Sequence, residues 1–257
     1  MAWVRTIWAR RELLFMLAVR TLRIRYQGSA LGFVWTLLGP VALIVVYWVF
    51  LSLLKTPIGL PALITGILAW HFLSLCMGDG LSAIVGNVSL VTKAAFPRIL
   101  LPLSMVLANL VNFLLSLLIL GIFLLVFVGT TGPLYWIIPA LLTQLALCIG
   151  VAMIVAASNV FFRDTEHLLG IVTLAWFFLS PVVYLTDLVF DRFSRPIHLL
   201  FFANPMTGIL SVYRHALLGS AMPDGLLVAL SFAVAWVVFA GGVAIFQAQE
   251  RRFGDEL

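Results

Sequence analysis

The chain has 257 residues, 63% of them apolar and only 10% charged, with a mean hydropathy of +1.17. A soluble domain carries about 25% charged residues, so this composition excludes one and makes lipid the solvent. The formal charge of +5 does not signal a nucleic-acid partner, because the cations are scattered over the breaks between apolar runs.

Residues 1–25 are neither a cleavable signal nor a span, because arginines run through the whole segment instead of preceding an apolar core. At 100° per residue, Arg5, Glu12, Arg20 and Arg23 share one face, while Trp3, Ile7, Leu14, Leu17, Ala18 and Leu22 lie largely opposite. Such a helix lies in the membrane interface. Its basic face serves either anionic lipid or a partner.

A crossing helix needs about 20 mostly apolar residues. Residues 31–54 supply the first, and the break Lys55-Thr-Pro-Ile-Gly-Leu-Pro61 ends it. The second covers 62–86, interrupted only by His71 and Asp79. A polar break at 87–98 carries Lys93, Phe96, Pro97 and Arg98, either a docking surface or a pair of lipid anchors. No charge follows from Ile99 to Phe162, and Gly129-Thr-Thr-Gly-Pro133 divides that run into spans near 99–128 and 134–160. A fifth span is expected over 168–186 and a sixth over 226–247. Between them, 187–225 holds two apolar pieces, each shorter than a span, joined at Asn204-Pro205. A pair of re-entrant half-helices fits this region better than two helices lying flat on the outer surface. The expectation is one all-α integral membrane domain over 1–257, with six transmembrane helices, an N-terminal interfacial helix and a re-entrant helical pair before the sixth span.

With the N-terminus inside, the inner side holds Arg5, Arg10, Arg11, Arg20, Arg23, Arg25, Lys93, Arg98, Arg163, Arg251 and Arg252, eleven cations. Four remain outside: Lys55, Arg192, Arg195 and Arg214. This bias places both termini in the cytoplasm.

The chemistry is sparse. No phosphate-binding Gly-x-x-x-x-Gly-Lys-Ser/Thr loop occurs, the four histidines lie in four segments, and Asp79 is the only acid between Glu12 and Asp164. No catalytic residue, metal set or resident cofactor is expected. Cys76 and Cys148 sit in apolar stretches and form no disulfide framework. An intramembrane acid is paired or functional; the position of Asp79 near the inner end of its span favours pairing with an arginine of the N-terminal helix over a transport role. His71 reads as an interhelical hydrogen bonder. In the fifth span Phe177, Ser180 and Tyr184 recur at i, i+3 and i+7, with Trp176 beside them and Pro181 weakening the helix; Tyr26 and Trp35 mark the entrance of the first. These side chains either line a pathway for sugar rings or pack.

Several segments together resemble the permease subunits of ABC-2-type exporters, in the polysaccharide and polyol-phosphate branch. Arg25-Tyr-Gln-Gly-Ser-Ala-Leu-Gly-Phe-Val-Trp35 with Pro40 resembles that family's entry to the first span. Residues 87–93 with Phe96-Pro-Arg-Ile-Leu-Leu-Pro-Leu103 resemble its coupling segment. Asn159-Val-Phe-Phe-Arg163-Asp164, Phe178-Leu-Ser-Pro-Val-Val-Tyr184, Asn204-Pro205 with Arg214, and the tail Glu250-Arg-Arg-Phe-Gly-Asp-Glu-Leu257 follow in matching order.

The resemblance implies a homodimer in the bacterial inner membrane with two copies of a separate ABC ATPase, which holds the ATP and Mg. Lys93, Phe96, Pro97, Arg98, Arg163 and Asp164 would couple to that ATPase. Arg25, Tyr26, Trp35, Trp176, Phe177, Ser180 and Tyr184 would line the substrate route, with Arg25 at the lipid-linked phosphate. Asn204, Pro205 and Arg214 would belong to the re-entrant gate. The implied cargo is an undecaprenyl-linked glycan such as O antigen or teichoic acid. An ABC-2 exporter of a small lipid or drug is the nearest alternative. A membrane enzyme or an ion-coupled carrier fits less well, because both need more intramembrane acids than this chain has.

Overall fold

The computed structural model describes residues 7–28, 34–53, 55, 58–92, 96–129 and 132–256. Lys93 lies outside them, as do the side chains of Tyr26 and Trp35. Every long element among the described residues is helical: α1 (Arg11–Tyr26), α2 (Trp35–Leu53), α3 (Leu60–Val85), the single turn α4 (Val88–Val91), α5 (Leu100–Phe123) and α6 (Ile137–Phe161). They continue with α7 (Thr165–Leu179), α8 (Asp187–Phe190), α9 (Arg195–Phe202), α10 (Pro205–Leu218), α11 (Gly225–Gln249) and α12 (Phe253–Glu256).

Four helices among the described residues are long and apolar enough to cross a membrane: 60–85, 100–127, 134–161 and 225–249. The expected first span contains α2 (Trp35–Leu53), 19 residues long, and the expected fifth is the shorter apolar helix Thr165–Leu179. The fifth stops early for a local reason. Pro181 has no N–H to continue the ladder, and Ser180 is already extended at ψ 145°. The supposed i, i+3, i+7 face of Phe177, Ser180 and Tyr184 is therefore not a helix face, since only Phe177 lies within α7. The long uncharged run does divide: helix ends before Gly129, which is in the left-handed region at φ 79°, where a side chain would be strained, and helical turns resume at Leu134.

α3 and α6 form the centre. Within their apolar windows 67% and 72% of residues are buried, against 28% in 100–127 and 33% in α11, so the latter two are the flanks. Polar side chains stitch the centre together. Gln144 donates to the Ala69 carbonyl at 2.7 Å, and Asn159 donates to that of Leu81 at 2.9 Å. α11 lies against α6 so closely that a Cβ on Gly150 would come within 2.6 Å of the Phe239 backbone. Small residues at such crossings let backbones touch, and this packing replaces the hydrophobic drive that lipid removes.

Two cores result. The larger one runs along α3, α5, α6, α10 and α11. The smaller one gathers Leu14 and Leu17 of α1, Ile84 of α3, Val91 of α4, Leu100 of α5, Phe246 of α11 and Phe253 of α12. It defines one end of the molecule, the proximal end; α9 and α10 occupy the distal end. On α1, Leu14, Leu17 and Ala18 are buried and Leu22 is half-buried, while Glu12, Arg20 and Arg23 are exposed; Trp3 and Arg5 lie outside the described residues.

Candidate functional site: a lateral groove between two arginine-held ends

A groove of about 470 Å³ opens between α2, α3 and α7. Tyr47, Trp70 and Phe177 form its aromatic wall, His71, Ser74 and Thr173 are polar groups along it, and Glu166 is in its lining at the start of α7. The Phe177 ring lies 5.5 Å from both the Tyr47 ring and the Trp70 ring, tilted at 31° to the first and nearly edge-on, at 70°, to the second. Of the pathway residues expected from sequence, Phe177 lines this groove. Tyr47 and Trp70 were missed; both are aromatic residues in the first two apolar runs, and periodicity alone did not place them opposite Phe177.

At the proximal end, Arg25 forms an ion pair with Asp79. Its second nitrogen donates to Asn109 Oδ1 at 2.7 Å, and Asn109 Nδ2 donates to the same Asp79 oxygen at 2.7 Å. The three side chains close a ring joining α1, α3 and α5, which satisfies an acid that would otherwise be costly near the hydrocarbon. Arg25 and Asp79 are 24% and 27% exposed, so the pair is partly open to its surroundings. A cavity of about 410 Å³ adjoins the ring, with Arg20, Thr21, Ser82, Asn87 and Ser104 also in its wall.

The distal end carries the other sequence-predicted residues. Trp176 Nε1 donates to Asn204 Oδ1 at 2.8 Å, and Asn204 Nδ2 donates to Ser180 Oγ at 2.8 Å. The same Asn204 oxygen caps α10 by accepting the Met206 N–H at 3.1 Å, with Pro205 in the first turn, where a missing N–H costs nothing. Arg214 is only 3% exposed and donates to the carbonyls of Val182 at 3.0 Å, Tyr184 at 3.0 Å and Ala62 at 3.3 Å. The Tyr184 hydroxyl donates to the Phe178 carbonyl at 3.2 Å. Ser180, Tyr184, Trp176, Asn204 and Arg214 thus meet through the broken end of α7, away from the groove's proximal mouth.

The polar break at 87–98 is held from within. Arg98 Nε donates to the Val91 carbonyl at 3.0 Å, and a second nitrogen donates to the Glu250 carbonyl. Phe96 and Pro97 are half-buried, while Arg163 and Asp164 are exposed between α6 and α7. Burial pushes the Glu250 carboxyl above its ordinary value, with Arg98 and Arg251 opposing the shift. Asn109 is a further residue that the motif reading passed over. The recurrence Asn109, Asn112, Ser116 at helical spacing inside a charge-free run was the available signal.

Several membrane-length helices among the described residues, with a lateral groove and a polar break between two of them, make this a multi-pass membrane protein. Residues 12–218 match the model of the ABC-2 type transporter family, and the chain belongs to that family. It is 32% identical to the O-antigen export system permease protein RfbA of Myxococcus xanthus over 99% of this chain and 98% of that protein. Two Klebsiella pneumoniae proteins of the same name are 27% and 25% identical, each over 96% of this chain and 95% of their own length.

Proposed function

We propose that this chain is the transmembrane permease of an ABC exporter that carries lipid-linked O antigen, or a similar cell-surface glycan, across the bacterial inner membrane. The observation that carries the reading is the near end-to-end likeness to three proteins named O-antigen export permeases. Family membership implies an ABC ATPase partner; two copies of it, holding ATP and Mg, would drive two copies of this chain. Hydrolysis would occur on the partner, with no catalytic group here.

In this reading α2 and α7, with their flanking residues, complete six crossings. On the eleven-to-four cation bias the proximal end would lie in the cytoplasm, where α4, Phe96, Pro97, Arg163 and Asp164 would face the ATPase. Tyr47, Trp70 and Phe177 offer rings on which the apolar C–H faces of sugars stack, and Ser74 and Thr173 offer hydroxyls for hydrogen bonds. Arg25, partly exposed beside Asp79, suits the lipid-linked phosphate at the inner mouth, and Tyr26 and Trp35 are assigned to the route on the family resemblance alone. α9 and α10 would re-enter the membrane and form the outer gate, which the Asn204 and Arg214 contacts hold to the end of α7.

Depletion of the chain in its host tests the cargo directly. Lipid-linked polysaccharide should accumulate on the cytoplasmic side while surface polymer falls. Accumulation of a different lipid, with surface polymer unchanged, would refute the glycan assignment.

A further inference from the structure

The coupling role proposed for 87–98 rests on the exporter reading, and the geometry around Arg98 specifies how it would work. A guanidinium has five N–H donors and no acceptor, so it must find oxygen wherever it is turned inward. Arg98 is half-buried, and the oxygens it finds are main-chain carbonyls at two helix ends. Val91 is the last residue of α4, and Glu250 is the C-cap of α11. The last carbonyls of a helix have no partner within it, and the C-terminus of a 25-residue helix such as α11 also carries partial negative charge. One cation therefore ties the polar break to the end of the last long helix.

The neighbourhood is built to keep that tie. Past Glu250 the chain turns into α12, whose Phe253 is fully buried. Its ring lies 5.2 Å from that of Phe246 at 73° and 6.0 Å from that of Phe161 at 53°. Gly254 lies close enough that a Cβ there would come within 3.2 Å of an Arg98 nitrogen. Val91 is fully buried in the same cluster. α11 in turn touches α6 backbone to backbone at Gly150 and Gly242, so a displacement of α11 reaches the centre of the bundle.

We propose that Arg98 is a positioning residue, an internal strut that makes α4, the end of α11 and the C-terminal turn move as one unit, and that it does not contact the ATPase. Force applied at α4 passes through Arg98 to α11 and from there to α6. Elements packed and tied in this way shift as a body.

The test compares the full-length wild type with Arg98→Ala and Arg98→Lys, first alone and then with the ATPase chain. Hydrogen exchange of the permease alone reads the strut. Arg98→Ala should speed exchange in 88–92 and 250–256 by about tenfold or more, the scale of a lost charge-assisted hydrogen bond. Arg98→Lys, which can keep one carbonyl, should fall between the two and carries the comparison should the alanine variant not fold. With the ATPase present, both variants should co-purify with it as wild type does and still turn over ATP, while export falls. Unchanged exchange, or loss of co-purification in a folded variant, overturns the strut. Failure of the wild type itself to bind any ABC ATPase would instead sink the exporter reading, and the exchange comparison would still decide whether the strut exists.

Discussion

Arg25 and Arg214 solve the same problem at opposite ends of the molecule, in different ways. Each is a cation in a chain that is 63% apolar. Arg25 meets a carboxylate and keeps about a quarter of its side-chain surface open. Arg214, at 3% exposure, meets carbonyl dipoles on Ala62, Val182 and Tyr184. A pair that solvent can reach is modest in energy and open to exchange with another anion. A guanidinium enclosed by main chain fixes three segments at once and leaves no room for a ligand. The difference separates a partly open ion pair from an enclosed clamp that holds the broken end of α7 to α3 and α10.

The comparison breaks most visibly at Arg214. Arg214→Ala strands three carbonyls, those of Ala62 and Val182 buried and that of Tyr184 partly so, and each buried one is worth about 1–3 kcal/mol when left unsatisfied. A fall in thermal stability of about 3 kcal/mol or more is expected in melts of the purified chain. Arg214→Lys should recover part of it. A loss below about 1 kcal/mol would mean that the carbonyls find water and that the clamp is not enclosed.

Asp79 and Arg25 should show a smaller effect. A double-mutant cycle with Asp79→Asn and Arg25→Gln should give a coupling of about 1–2 kcal/mol, within the range for contacting charged pairs. Raising the salt from about 0.05 M to 1 M should shrink that coupling while leaving the Arg214 effect nearly unchanged. Equal salt sensitivity at the two sites would abolish the distinction between them.

The smallest effect belongs to Glu250. Its carboxyl is raised above its ordinary value by burial, so the folded chain binds that proton more readily than the unfolded chain does. The associated stability is present below the unfolded value and is lost as pH rises through the folded one. Glu250→Gln should therefore raise the melting temperature slightly at pH 7.5 and leave it nearly unchanged at pH 4.5. A drop at pH 7.5 would mean that attraction to Arg98 and Arg251 outweighs the burial.

Much of this was legible in the chain. Uncharged runs locate the long helices, Gly129 locates the end of one of them, and arginine scattered among apolar residues sets α1 apart from the long apolar helices. The position of Asp79 pointed to an arginine of α1, and Arg25 is there. What could not be read was the effect of Pro181, because a hydropathy window continues through a residue that the backbone cannot. The groove was equally hidden. Tyr47, Trp70 and Phe177 are 23 and 107 positions apart in sequence, and only packing brings their rings together. Arg98 reads in sequence as a surface cation, since its acceptors are main-chain carbonyls, which carry no residue-type signal.

The central claim is ATP-driven export of a lipid-linked glycan through this chain. Its most direct measurement is transport in proteoliposomes containing the permease, its ATPase and an undecaprenyl-linked O polysaccharide. ATP with Mg should move polymer to the opposite face, and Tyr47→Ala with Phe177→Ala should slow that movement while ATP binding persists. Undiminished ATP turnover with no polymer moved by the wild-type complex, or transport of a small lipid in its place, would contradict the account.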